Sequence, residues 1–170
     1  MTVIEDTTQA AVALPASDRL AQMGLELPAA PKPVGAYVAA VRTGSLVWTS
    51  GQLPLVGSAL PASGKVGLAP GLVSPAEATG LARICVLNAV AAVAAEAGGI
   101  DRIRRVVKLV GFVASDPSFT GQPAVVNGAS ELLKEIFGEA GAHARSAVGV
   151  AALPLDAPVE IELVVEIAEG

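Results

Sequence analysis

The chain is expected to fold as an α+β sandwich, a mixed sheet with two helices laid across one face. Three observations predict this: two helical patterns begin at Ser74 and near Pro123, the run Val106 to Ala114 is apolar on both alternating sets, and Val159 to Ile167 alternates strictly. The first 32 residues, rich in Ala, Thr and Pro, read as an N-terminal extension with one short helix, Ser17 to Leu25, ahead of a domain over residues 33–170. Tyr37 to Val41 and Leu46 to Ser50 are β-prone runs joined by Arg42-Thr43-Gly44-Ser45, a loop of hairpin length. From Gly51 to Gly71, repeated Gly and Pro deny regular structure beyond a short strand near Lys65 to Leu68. Long loops of this kind are often functional.

Ser74-Pro75-Ala76-Glu77 is a strong helix start: Ser74 can cap, Pro75 suits the first helical position, and Glu77 can complete a capping box. The helix runs to about Ala97, buries Leu81, Ile84, Cys85, Val86, Leu87, Val90 and Val93, and stops at Gly98-Gly99. Val106 to Ala114 then reads as a central strand covered on two faces. A second helix, about Pro123 to Phe137, carries Val125, Ala129, Leu132, Leu133 and Ile136 on one stripe and ends at Gly138. Ser146 to Ala152 and Val159 to Ile167 are the last strands. Two helices cannot cover both sheet faces, so a second copy of the chain is the economical cover for the other.

Composition removes several function classes. Of 170 residues, 52% are hydrophobic, which excludes intrinsic disorder, and a net charge of −5 repels phosphate backbones. Aromatic residues at 3% leave few rings for stacking bases, so nucleic acid is not expected as a partner. One Cys and one His cannot build a zinc site or an internal disulfide, and no P-loop or dinucleotide fingerprint follows a strand, so neither metal nor cofactor is expected. The acidic start MTVIEDTTQA does not read as a signal peptide, and no membrane-spanning stretch stands out, so a cytoplasmic protein is the expectation.

Three constellations could carry chemistry. Arg145 opens an otherwise apolar strand and offers a planar fork for a carboxylate or phosphate; the alternative is a surface Arg at a strand end. Among Glu160, Glu162 and Glu166, one carboxylate could act as a base if its surroundings are apolar enough; the alternative is a solvated strand face. Ser50, in Thr49-Ser50-Gly51-Gln52-Leu53-Pro54, could bond a ligand but lacks a partner base. Tyr37 and Asn127 are lone polar groups among apolar residues, a setting that more often holds satisfied core residues than ligands. The cluster Arg102, Arg104, Arg105, Lys108 suits a helix-to-strand connection. Were the last two strands a plain hairpin, Arg145 and Glu160 would lie on the order of 20 Å apart. A joint site therefore needs another strand order or two subunits.

Taken together, Thr49-Ser50-Gly51-Gln52-Leu53-Pro54, Cys85-Val86-Leu87-Asn88, Ala144-Arg145-Ser146 and Leu153-Pro154-Leu155-Asp156-Ala157-Pro158-Val159-Glu160-Ile161-Glu162 resemble the RidA/YjgF/YER057c/UK114 family, also called the L-PSP endoribonuclease family. The resemblance spans about Gly35 to Ile167, and the extension together with the Asp116 to Ser130 region is similar to a particular YjgF-like branch. It implies a chorismate-mutase-like fold, a homotrimer with its sheets packed in the centre and its sites between subunits, and hydrolysis of enamines and imines to 2-oxo acids and ammonia. By the same resemblance Arg145 would grip the substrate carboxylate, Glu160 would position water, the backbone at Ala147 would orient the substrate, and Tyr37, Ser50 and Asn127 would line the pocket. Family deaminases commonly carry Cys where this chain has Ala147. Two other expectations stand beside the deaminase: a non-catalytic trimeric module that binds small carboxylates or proteins, and an endoribonuclease.

Overall fold

The computed structural model describes residues 14–30 and 35–168. A single sheet contains β1 (Ala40–Thr43), β2 (Leu46–Thr49), β3 (Ile103–Ala114), β4 (Ala144–Val150) and β5 (Val159–Ile167) in the order β1-β2-β5-β3-β4. β3 runs parallel to β4 and antiparallel to β5, so the sheet is mixed, with β1 and β4 at its edges. Helices α2 (Pro75–Ala97) and α3 (Gln122–Phe137) pack on one face, and short α1 (Ala16–Gln22) buries Leu20 beside α3.

Local chemistry explains most boundaries. Ser74 Oγ accepts from the Glu77 N–H, Pro75 needs no intrahelical donor, and Gly98 at φ +82° ends α2 in a left-handed cap. Arg83 interrupts the apolar run of α2 and pairs with Glu135 of α3 at 2.8 Å. The two helices approach closely because a Cβ at Gly128 would collide with the Thr79 backbone. Gly111 does the same for the sheet, since a Cβ there would lie 2.5 Å from Val126 Cγ2. Val106, Leu109 and Val113 of β3 and the odd-numbered positions of β5 are buried beneath the helices.

Three expectations are corrected. The first strand begins at Ala40, not Tyr37, because the preceding backbone is drawn instead onto Ser50: its hydroxyl donates to Val38 O and its N–H to Ala39 O. Arg42 and Thr43 pair across to Val47 and Leu46, so the connection shrinks to Gly44-Ser45 with Gly44 at φ +60°. Lys65 to Leu68 is not a strand; Val66 alone makes isolated bridges, to Val73 and Ser115. Residues 1–13 and 31–34 of the proposed extension and its junction lie outside the described residues.

Among the described residues, nothing covers the face away from the helices. Val41, Trp48, Val107 and Val148 are exposed there, with Trp48 at 51%, and pairing places Val164 beside Trp48 and Phe112 between Val148 and Glu160. Among the described residues the central strand is thus covered on one side only.

Candidate active site

Register assigns the two principal candidates to different faces. Leu109 pairs with Arg145 on one side and Leu163 on the other, and all three point toward the helices. Phe112 pairs with Val148 and Glu160, and these point to the open face. Three rows along the strands and two strands across, at ~3.3 Å and ~4.8 Å per step, separate their Cα atoms by roughly 14 Å. The non-hairpin strand order shortens the distance, but one chain does not bring Arg145 and Glu160 together.

The candidates instead fall into two groups. The first lies where edge strand β4 meets α3. Asn127 is exposed on α3, and its Oδ1 accepts from Arg145 Nη1 at 2.7 Å; Ser130, one turn on, accepts from the same nitrogen at 3.2 Å. Arg145 is half-buried, and among the described residues no carboxylate lies within ion-pairing distance of it. Ala147, two residues further along the same face, packs against the core. Because β4 has a neighbour on one side only among the described residues, half of its backbone N–H and C=O groups point outward from the sheet. A groove of about 360 Å³ runs beside Arg145, lined by Ser130, Glu131, Lys134, Gly141, Ala142 and His143.

The second group gathers at the far ends of β1 and β2. Tyr37 is exposed in the segment before β1, and Ser50 ties that segment down through Val38 O at 2.7 Å. Gly51 has no side chain because the Glu160 carboxylate occupies that space; a Cβ there would overlap Glu160 Oε1. Burial, then the neighbouring Glu162 charge, raises the Glu160 carboxyl above the ordinary glutamate value, and burial raises Glu162. A carboxylate held this way is a better proton acceptor than a solvated one.

Sequence reading assigned no site role to Ser130 or His143. His143 Nε2 is 3.0 Å from Ser130 Oγ and Nδ1 is 2.6 Å from Gly141 O. The (i, i+3) spacing of Asn127 and Ser130 on the helix was the available signal, since it sets both on one face. Cys85 is fully buried on α2 with its thiol near Val159 O at 3.5 Å; burial first, and the Glu160 charge second, push it well above the ordinary thiol value. A thiol in that state is a packing group. Of the basic cluster, Arg102 donates to Ala168 O and Lys108 to Ser146 Oγ.

A family model described as "YjgF/chorismate_mutase-like, putative endoribonuclease" matches residues 17–167. "Protein TCP17" of Trypanosoma cruzi is 45% identical over 87% of this chain and 91% of its own length. "Putative reactive intermediate deaminase TdcF" of Escherichia coli K12 is 33% identical over 82% of this chain and 93% of its own, and its crystal structure with bound serine superposes with a TM-score of 0.60 at 27% identity, covering 82% of this chain and 94% of that one. The structure of a "putative endoribonuclease" from Shewanella oneidensis MR-1 gives a TM-score of 0.85 at 32% identity, covering 91% of this chain and 100% of that one.

Proposed function

The chain belongs to the YjgF/chorismate-mutase-like family, and on that premise we propose that it is a cytoplasmic enamine/imine deaminase, hydrolysing reactive 2-imino acids to 2-oxo acids and ammonia at sites built between the subunits of a homotrimer. The observation that carries this reading is the state of Arg145. Two neutral oxygens hold its guanidinium, and no described carboxylate neutralises it, so its fork is free to take a small anion. The relative named for deamination of reactive intermediates, and its structure with bound serine, a small carboxylate, support the same chemistry.

In the proposed reaction Arg145 binds the substrate carboxylate and so fixes the imine carbon beside it. Glu160 of an adjacent subunit accepts a proton from water as the oxygen attacks that carbon, giving a tetrahedral amino alcohol whose nitrogen takes up the electron pair of the C=N bond. The same carboxyl returns its proton to nitrogen, the C–N bond breaks with its electron pair leaving on ammonia, and the hydroxyl oxygen becomes the ketone as its proton passes to the freed carboxylate, which releases it to the departing ammonia or to solvent. Tyr37 and Ser50 would enter the site with Glu160, and Asn127 and the Ala147 backbone with Arg145. No step calls on a cofactor. The test is to generate 2-imino acids in situ with an amino-acid oxidase, in the presence of a competing trap, and follow 2-oxo acid release over several side chains. Acceleration by the protein supports the reading; no acceleration with any substrate shifts it to a binding module without turnover.

The pH dependence has a definite sign. Glu160 acts ionised, and its carboxyl is raised, so kcat/KM should fall as pH drops through a value above the ordinary glutamate range. Glu162→Gln removes the like charge that contributes to the rise and should move this acidic limb to lower pH. A limb that stays put or moves upward in E162Q would contradict the assignment.

The open sheet face accounts for assembly. The protomer mass is 16.9 kDa, so light scattering of the wild type should give about 51 kDa for three copies. Trp48→Asp sets a charge into the exposed apolar row and should shift the protein toward the protomer mass. A wild type that scatters as a protomer at assay concentration would contradict the trimer.

A further inference from the structure

We propose that Ser130 and His143 are positioning residues for Arg145, a relay anchored on the backbone that decides which edge of the guanidinium faces the substrate; this rests on the reading of Arg145 as the carboxylate anchor. The bonds run in one consistent direction. Gly141 O can only accept, so Nδ1 of His143, 2.6 Å away, carries the ring proton. In the neutral ring Nε2 is then an acceptor, and the Ser130 hydroxyl, 3.0 Å from it, donates. With its one proton committed, Ser130 Oγ turns a lone pair to Arg145 Nη1 at 3.2 Å, while Asn127 Oδ1 takes the other proton of that nitrogen at 2.7 Å.

Both protons of Nη1 are therefore held by neutral partners. The Nε/Nη2 edge, two parallel N–H groups matched to a carboxylate, is the edge left for substrate. The anchor itself is firm: Gly141 is buried, and a Cβ there would overlap the Leu133 carbonyl, so the accepting oxygen is set by tight packing against α3. Reversal of the imidazole tautomer would set an N–H toward Ser130 and redirect the serine proton away from the ring. The serine would then no longer be committed to accepting from Arg145.

The chain has one histidine, so long-range 1H–15N correlation on the whole protein reads this ring without assignment. The expected spectrum at neutral pH is the Nδ1–H tautomer. Added pyruvate, as a small 2-oxo carboxylate probe, should shift the Nε2 resonance in wild type and leave it unmoved in Arg145→Ala. Ser130→Ala should weaken pyruvate binding, and raise KM for 2-imino acids, by about 5-fold with kcat nearly unchanged, the loss of one hydrogen bond to a charged group. Ser130→Thr, which keeps the hydroxyl, should restore both.

An Nε2–H tautomer, a wild-type ring that ignores pyruvate, or an S130A protein with unchanged affinity and KM would overturn the relay. The two readings fail separately. If the ring responds to pyruvate through Arg145 and S130A weakens binding, yet no imine is turned over, the relay stands and the deaminase reading falls. If imines are hydrolysed and S130A has the wild-type KM, the relay alone falls.

Discussion

Arg145→Ala is expected to lower kcat/KM for 2-imino acids by about 10² to 10³, the loss that follows when a hydrogen-bonded charge partner of a carboxylate is truncated. The size follows from what the guanidinium does in the site. In the proposed reaction it supplies charge and also, through two parallel N–H groups, the orientation that would place the imine carbon before the water. Arg145→Lys should therefore recover little, because an ammonium cannot bond Asn127 and Ser130 and still present a fork. The protein should remain folded in both variants, since among the described residues the Arg145 side chain bonds to those two residues alone, on a partly exposed edge. A melting curve near wild type beside a lost carboxylate KM separates the anchor role from a structural one. Activity unchanged in R145A would remove the residue on which the proposed function rests.

The sequence carried the elements whose causes are local. The Ser74-Pro75 start and Gly98 stop of α2 are written in capping chemistry, and β5 in an alternation that its burial reproduces residue by residue. β1 was displaced by three residues because the competing partner for its first residues is the Ser50 hydroxyl, a side chain that strand propensity does not see. Lys65 to Leu68 fell short of a strand because, of those four residues, Val66 alone makes bridges, single ones to Val73 and Ser115 that do not extend into a ladder.

The candidate site was legible as residue types and illegible as geometry. Arg145 and Glu160 stand out on any reading of their surroundings, yet nothing in either segment encodes that β3 inserts between β4 and β5. That insertion, with β4 parallel and β5 antiparallel to β3, turns Arg145 to the helices and Glu160 to the open face. Non-local pairing of this kind is decided by which faces can be buried together, not by local spacing. The Ser130 hydroxyl and the His143 ring escaped for the same reason: they meet only once α3 lies across β4.

The central claim is that Arg145 of one subunit and Glu160 of another complete each site, and subunit mixing tests it most directly. Arg145→Ala and Glu160→Ala proteins should each be nearly inactive alone. Mixed in equal amounts, dissociated and reassembled, they should regain about a quarter of wild-type activity, because each interface has an even chance of an intact Arg145 on one side and of an intact Glu160 on the other. Mass spectrometry of the assembled particles establishes that the subunits have exchanged. Recovery near that level would establish a site shared between chains; mixed particles that remain as inactive as their parents would contradict it.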